Sequence, residues 1–184
     1  LVFGSTKHSG EGHSMARILI TGGTGSLGRT LIPTLLEARH TVSILSRDPH
    51  HQAALRNRFP DLHYHLGDIC DYPTIRHACE GQDIVIHAAA LKRVEIGEVA
   101  VEEYLRVNTL GTQTVARGCR ETSVSRALFI STDKACSPKN LYGMTKAIAE
   151  RIWLQDSPSE TRFGVLRYGN LINSAGSVWE VWRN

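Results

Sequence analysis

Short apolar runs and helical patterns alternate along most of the chain. Runs at Arg17–Thr21, Thr41–Ser46, 62–66, Ile84–His87, 126–131 and Arg162–Tyr168 predict six strands. They are near-continuous in apolar character, as strands buried on both faces are. Between them, apolar residues recur at three- and four-residue spacing. Residues 27–38 place Leu27, Leu31, Leu35 and Ala38 on one side of a predicted helix. Residues 50–58, 72–79, 101–120 and 141–154 predict further helices. Such alternation requires crossovers, so the strands should lie parallel. Right-handed crossovers then give an α/β fold, a Rossmann-type doubly wound parallel sheet.

Residues 1–14 are rich in Gly, Ser and His and lack apolar periodicity. They are expected to be a flexible lead or tag-like segment, with Met15 as the native start. They lack the apolar stretch of a secretory signal. Residues 15–184 are expected to form one domain. Little chain follows the sixth strand, so a second, substrate-binding lobe is expected to be largely absent.

Composition narrows the partners. The 184 residues carry a net charge of +3, with basic residues scattered, so no nucleic-acid partner is expected. No apolar run approaches the roughly 20 residues of a membrane helix. Cys70, Cys79, Cys119 and Cys136 form no C-x-x-C pair and no zinc-like spacing with histidine. They are expected to be reduced thiols in a cytoplasmic protein, with no metal bound.

The joint after the first strand reads Thr21-Gly22-Gly23-Thr24-Gly25-Ser26-Leu27-Gly28. Glycine permits a tight turn and close approach of backbone to a phosphate. The following helix presents N–H groups and a positive dipole end to a pyrophosphate. Gly22, Thr24, Gly25, Ser26, Leu27 and Gly28 are therefore candidate dinucleotide-binding residues. The joint has no phosphate-loop lysine, which excludes an ATPase of that kind. At the end of the second strand, Ser46 and Arg47 offer a hydroxyl and a guanidinium where a 2′-phosphate would lie. This favours NADP over NAD, while Asp48 keeps NAD open. Ala88, Ala89 and Ala90 leave room for a cofactor after the fourth strand. His87 is expected to be a packed strand-end residue.

Tyr142 and Lys146 are four apart on a predicted helix and share one face. A phenol is a poor base near neutrality, and a nearby ammonium would favour its ionised form. Lys146 could also bind the nicotinamide ribose. Ser131 and Thr132, at the preceding strand end, offer a hydroxyl to the substrate oxygen that Tyr142 would deprotonate.

These motifs come with longer strings: His-Ala-Ala-Ala-Leu-Lys at 87–92, Ser-Thr-Asp-Lys-Ala at 131–135, Leu-Tyr-Gly-Met-Thr-Lys at 141–146 and Arg-Tyr-Gly-Asn at 167–170. Over about 16–178 the chain resembles the polysaccharide-biosynthesis branch of the extended short-chain dehydrogenases/reductases. That branch includes the C5-inverting UDP-N-acetylglucosamine 4,6-dehydratases. The resemblance implies a nucleotide-sugar substrate, tightly bound NADP and an internal hydride cycle. It implies Tyr142, Lys146, Thr132, Asp133 and Lys134 as catalytic residues, with Lys134 taking the C5 proton from a neutral amine and Asp133 assisting water loss. It places Asp68 and Ile69 near the adenine, Asn108 beside the site, Lys92 near cofactor or substrate, and Asn170 near the sugar nucleotide. It also makes a homo-oligomer plausible, with helices 101–120 and 141–154 at the interface. The chain departs from the branch at Arg93-Val94-Glu95 and at Ala175. A sugar epimerase or reductase, and a non-catalytic dinucleotide sensor, remain alternative readings.

Overall fold

The computed structural model describes residues 15–155 and 159–169. Asn170, Ala175 and residues 1–14 lie outside them. Six strands form one parallel sheet: β1 (Arg17–Thr21), β2 (Thr41–Ser46), β3 (His63–Leu66), β4 (Ile84–His87), β5 (Arg126–Thr132) and β6 (Arg162–Tyr168). Their order is β3-β2-β1-β4-β5-β6, the doubly wound arrangement expected. The direction of winding reverses between β1 and β4, the point at whose carboxyl end such sheets bind their ligands.

Both faces of the sheet are covered. Ile18, Ile20, Val42 and Ile44 face α1 (Ser26–Glu37) and α2 (Pro49–Arg58), packing with Ile32 and Leu55. Leu19, Leu45, Val85 and Phe129 face α3 (Tyr72–Cys79), α6 (Thr112–Glu121) and α7 (Leu141–Trp153), packing with Ile75, Val115 and Trp153. Neighbouring residues on one strand thus enter opposite layers, which is why the strands carry no polar alternation. Full burial of each such side chain stabilises the fold by about 1.5–3 kcal/mol.

Caps fix where the helices begin. Asp48 accepts the N–H groups of His50 and His51, and Asp71 accepts that of Thr74. Asn140 accepts the Gly143 N–H at 2.8 Å, and Glu98 accepts the Leu141 N–H at 2.9 Å. The two acceptors give α7 a doubly satisfied start.

Two segments differ from expectation. A short α4 (Val94–Gly97) follows the Arg93 cap, and the Arg93 carbonyl accepts the Tyr104 hydroxyl at 2.5 Å. The expected helix 101–120 is instead α5 (Val101–Leu105), a π-helical segment (Arg106–Gly111) and then α6. The wide turn coincides with Asn108, whose side chain is committed to another part of the chain. The four cysteines are unbridged. Among the described residues, no helix is long and apolar enough to cross a membrane.

Candidate active site

The turn between β1 and α1 sits at the point where the winding reverses. Gly22 has φ +70°, and a Cβ there would lie 2.8 Å from the Ala89 main chain. Glycine on one side and the small residues Ala88 and Ala89 on the other let the two strand exits approach. A Cβ at Gly28 would lie 2.2 Å from the Gly23 carbonyl oxygen, so α1 can leave the turn only with glycine there. Gly25 occupies the N-cap and offers no capping side chain, unlike the caps of α2, α3 and α7. Thr24, Ser26 and Leu27 lie in this same turn, and the Thr24 carbonyl accepts Arg29 Nε at 2.8 Å. A cradle from which side chains are sterically excluded, leading into a helix N-terminus, fits a dinucleotide pyrophosphate.

The carboxyl ends of β2 and β3 carry an ionic cluster. Arg47 lies 3.7 Å from Asp68 and 3.5 Å from Glu103. Arg106 binds Glu103 through two 2.8 Å hydrogen bonds and Asp68 at 3.1 Å. Burial raises the Asp68 pKa, but the Cys70 N–H and Arg106 outweigh it and hold the carboxyl below its usual range. Asp48 serves as the α2 cap, with His51 at 2.8 Å. Ser46 is buried, and its hydroxyl accepts Gln52 Nε2 at 3.0 Å. Ile69 is likewise buried in the core, where a Cβ at Gly111 would lie 2.7 Å from it.

A chain of hydrogen bonds joins the turn to the π-helical segment. Thr21 Oγ1 and His87 Nδ1 are 2.6 Å apart, and His87 Nε2 and Thr112 Oγ1 are 3.1 Å apart. Thr112 donates to the Asn108 carbonyl at 2.7 Å, so it accepts from His87 Nε2–H. His87 Nδ1 then accepts from Thr21. Burial drives the His87 pKa down to about 3, so the ring is neutral and structural, as expected. The Asn108 amide grips Leu91 at both main-chain groups, each at 2.9 Å, and reaches Thr145 at 3.1 Å. Asn108 therefore positions rather than presents itself: it holds the loop that carries exposed Lys92 and ties it to α7.

The catalytic candidates gather where β5 meets α7. Thr132 ends the strand, and its hydroxyl donates to Asp133 at 2.9 Å and receives the Lys134 N–H at 3.3 Å. Lys134 Nζ lies 3.2 Å from Asp133. Asp133 is held below its usual range by hydrogen bonds from Thr132 and Lys134. A Cβ at Gly143 would lie 2.3 Å from the Lys134 carbonyl, so this glycine lets the start of α7 seat on the turn. Tyr142 is thereby brought beside Thr132.

Tyr142 and Lys146 lie in different surroundings. Burial, then Tyr168, pushes the phenol up to about 12, with Thr132 opposing. The Lys146 amine points into the sheet, donating to the Ile130 carbonyl at 2.7 Å and lying 3.8 Å from the Phe129 ring centre. Burial brings its pKa down to about 7. Ser131 meets α7 two turns beyond Tyr142. Its hydroxyl reaches Glu150 at 2.5 Å rather than the Tyr142 side. Sequence reasoning missed Glu103, Arg106, Glu150 and Arg167. Glu150 left a signal, an acid one turn beyond Lys146 on an otherwise buried stripe, and Arg167 opens the Arg-Tyr-Gly-Asn string.

The chain is 42% identical over 169 residues to a Campylobacter jejuni protein named UDP-N-acetylglucosamine 4,6-dehydratase (inverting), covering 88% of this chain and 51% of that protein. The X-ray structure of Pen from Bacillus thuringiensis superposes with a TM-score of 0.87 at 34% identity, covering 91% of this chain and 54% of that one. The UDP-glucose 4-epimerase of Brucella ovis, solved with NAD, superposes with a TM-score of 0.77 at 26% identity, covering 84% and 52%. The chain thus spans about half the length of the relatives it matches. The sequence pattern of the family described as polysaccharide biosynthesis protein matches residues 18–184, and the chain belongs to that family.

Proposed function

We propose that this chain is the dinucleotide-binding and catalytic half of a nucleotide-sugar 4,6-dehydratase acting on UDP-N-acetylglucosamine or a similar sugar nucleotide. The observation that carries the reading is the seating of the Thr132-Asp133-Lys134 turn against Tyr142, through Gly143. Tyr142 takes the proton of the sugar 4-hydroxyl, with the Thr132 hydroxyl beside it. The ammonium of Lys146, one turn along the helix, lowers the phenol when its stem turns out from Ile130. A bound dinucleotide supplies the hydride acceptor for C4 and the hydride donor for C6. The 4-ketone acidifies C5, and elimination of water then needs a base and an acid. Moving one proton from Lys134 to Asp133 converts their ion pair into an amine and a carboxylic acid. Lys134 takes the C5 proton, Asp133 gives its proton to the departing 6-hydroxyl, and the Lys134 ammonium returns a proton to C5 as C6 receives hydride. A closed site that excludes water favours this neutral form of the pair.

NADP is the favoured dinucleotide. Arg47, just past the end of β2, would offer its guanidinium to a 2′-phosphate, and Asp48 caps α2. Asp68, Lys92 and Asn170 complete the proposed contacts, with Asn170 near the sugar. Exposed Val101, Leu105 and Leu110, and Met144 and Ile148 on α7, support pairing with a second copy. Four unbridged thiols support a cytoplasmic setting.

The structural likeness to a UDP-glucose 4-epimerase supports epimerisation as the second reading. An epimerase needs Tyr142 and Lys146 but no elimination pair. Incubation with NADP and UDP-N-acetylglucosamine, followed by mass spectrometry, separates the two. Loss of one water with a borohydride-trappable ketone is expected. A product of unchanged mass with inverted C4 would replace the dehydratase by the epimerase.

A further inference from the structure

The reaction just proposed leaves three polar groups beside α7, Ser131, Glu150 and Arg167, without a task. Tyr142, Lys146 and Glu150 follow one another at four-residue spacing, so they line one stripe of the helix. Glu150 is 10% exposed in its side chain and is held on both oxygens. Ser131 and Arg167 Nε reach Oε1 at 2.5 and 2.9 Å, and Arg167 Nη2 reaches Oε2 at 2.5 Å. β5 and β6 are hydrogen-bonded neighbours, with Ser131 and Arg167 in register. Their two side chains therefore converge on one point of α7. The partners fix Glu150 as a carboxylate, and Arg167 is the first cause of its lowered pKa.

Lys146 is 2% exposed. The titratable and charged groups facing it are His87 from β4, Glu150 on its own helix and, behind Glu150, Arg167 from β6. His87 is neutral there, so Glu150 is the one anion of this set. Its pull on the Lys146 proton opposes the cost of burial.

We propose that Glu150, clamped by Ser131 and Arg167 one turn beyond Lys146 on α7, is a positioning residue for Lys146: it is the anion that pairs with this buried amine. The inference rests on the assignment of Lys146 as the group that activates Tyr142, because only an ammonium can perform that task. It extends the site along α7, to residues that the proposed reaction does not use. Arg167 acts in the opposite sense to Glu150, sharing the carboxylate and so moderating its hold on the proton.

The chain contains five lysines, few enough for their side chains to be titrated individually by NMR in lysine-labelled protein, with Lys146→Met giving the assignment. Lys146 is expected to titrate well below the other four. Glu150→Gln should move it lower still, by about one unit or more. Arg167→Met, which keeps the carboxylate, should move it upward. Simple loosening of the packing would admit water and raise it in both variants, so the opposite signs are diagnostic. A Lys146 titration that stays put or rises in Glu150→Gln, or that stays put or falls in Arg167→Met, overturns the proposal. Dinucleotide affinity of Lys146→Met tests the underlying assignment separately. Unchanged affinity and turnover would remove the role of Lys146, whatever the titrations show.

Discussion

The turn after β1 and the turn after β5 both end a buried strand and open a helix, yet they are held by different means. The first is shaped by excluded side chains. At Gly22 and Gly28 a single carbon would collide with main chain at 2.8 and 2.2 Å. The second is shaped by side chains that are present: Thr132, Asp133 and Asn140 bind the turn, and Ser131, Glu150 and Arg167 bind the strand to the helix behind it. A phosphate can be cradled by backbone alone, because N–H groups and a helix dipole suffice. Proton transfer needs ionisable groups whose environments differ, and those require polar side chains in a dry setting. The two ends should therefore fail in different ways.

The largest expected effect is at the β5 end. Tyr142→Phe should lower turnover by about 10²–10⁴-fold and leave dinucleotide binding nearly unchanged. Single-turnover kinetics with parallel cofactor titration would show this, and a fully active variant would sink the assigned base. Next comes the β1–β2 end. Arg47→Met should weaken NADP by about 10–100-fold with little effect on NAD. Glu103→Gln should shift the preference the other way, because it frees Arg47 and Arg106 from a competing carboxylate. Equal losses for both dinucleotides would refute the 2′-phosphate reading.

The third effect is on stability. The folded pKa of Lys146 lies at about 7, below the ordinary value of 10.5. Between these values the unfolded chain binds more protons than the folded one, so this group makes stability rise with pH. The gain is complete above the unfolded pKa and is lost as pH falls through the folded one. From pH 7 to 8.5 it should amount to on the order of 1–2 kcal/mol in urea unfolding. Lys146→Met should flatten the slope, and an unaltered slope would place its origin elsewhere. The smallest effect is Asp48→Ala. It should lower the melting temperature by about 2–4 °C and leave the NADP-to-NAD ratio alone, since the side chain caps α2. A changed ratio would return Asp48 to the ribose.

The sequence by itself determined much of this protein. Four strands, β1, β2, β4 and β6, and the helix Tyr72–Cys79 have the bounds that the apolar pattern predicts. They are legible because burial on both faces of a parallel sheet imposes continuous apolar runs, whatever the rest of the chain does. The glycine turn and the Tyr142–Lys146 pair are legible because local spacing fixes their geometry. Tertiary structure decided what local spacing does not encode. Ser46 and Ser131 look like site hydroxyls in the sequence but turn to Gln52 and Glu150. Asn108 sits in a π-helical turn that the 3.6-residue period conceals, because its amide is drawn to Leu91. Arg106 and Arg167 lie 38 and 17 residues from the carboxylates they bind at Asp68 and Glu150. Which way the Lys146 amine faces, and how tightly its proton is held, likewise depends on groups brought by β4, β5 and β6. Periodicity records which face of an element is buried; the electrostatics of a buried group are set by neighbours that only the folded sheet brings into contact.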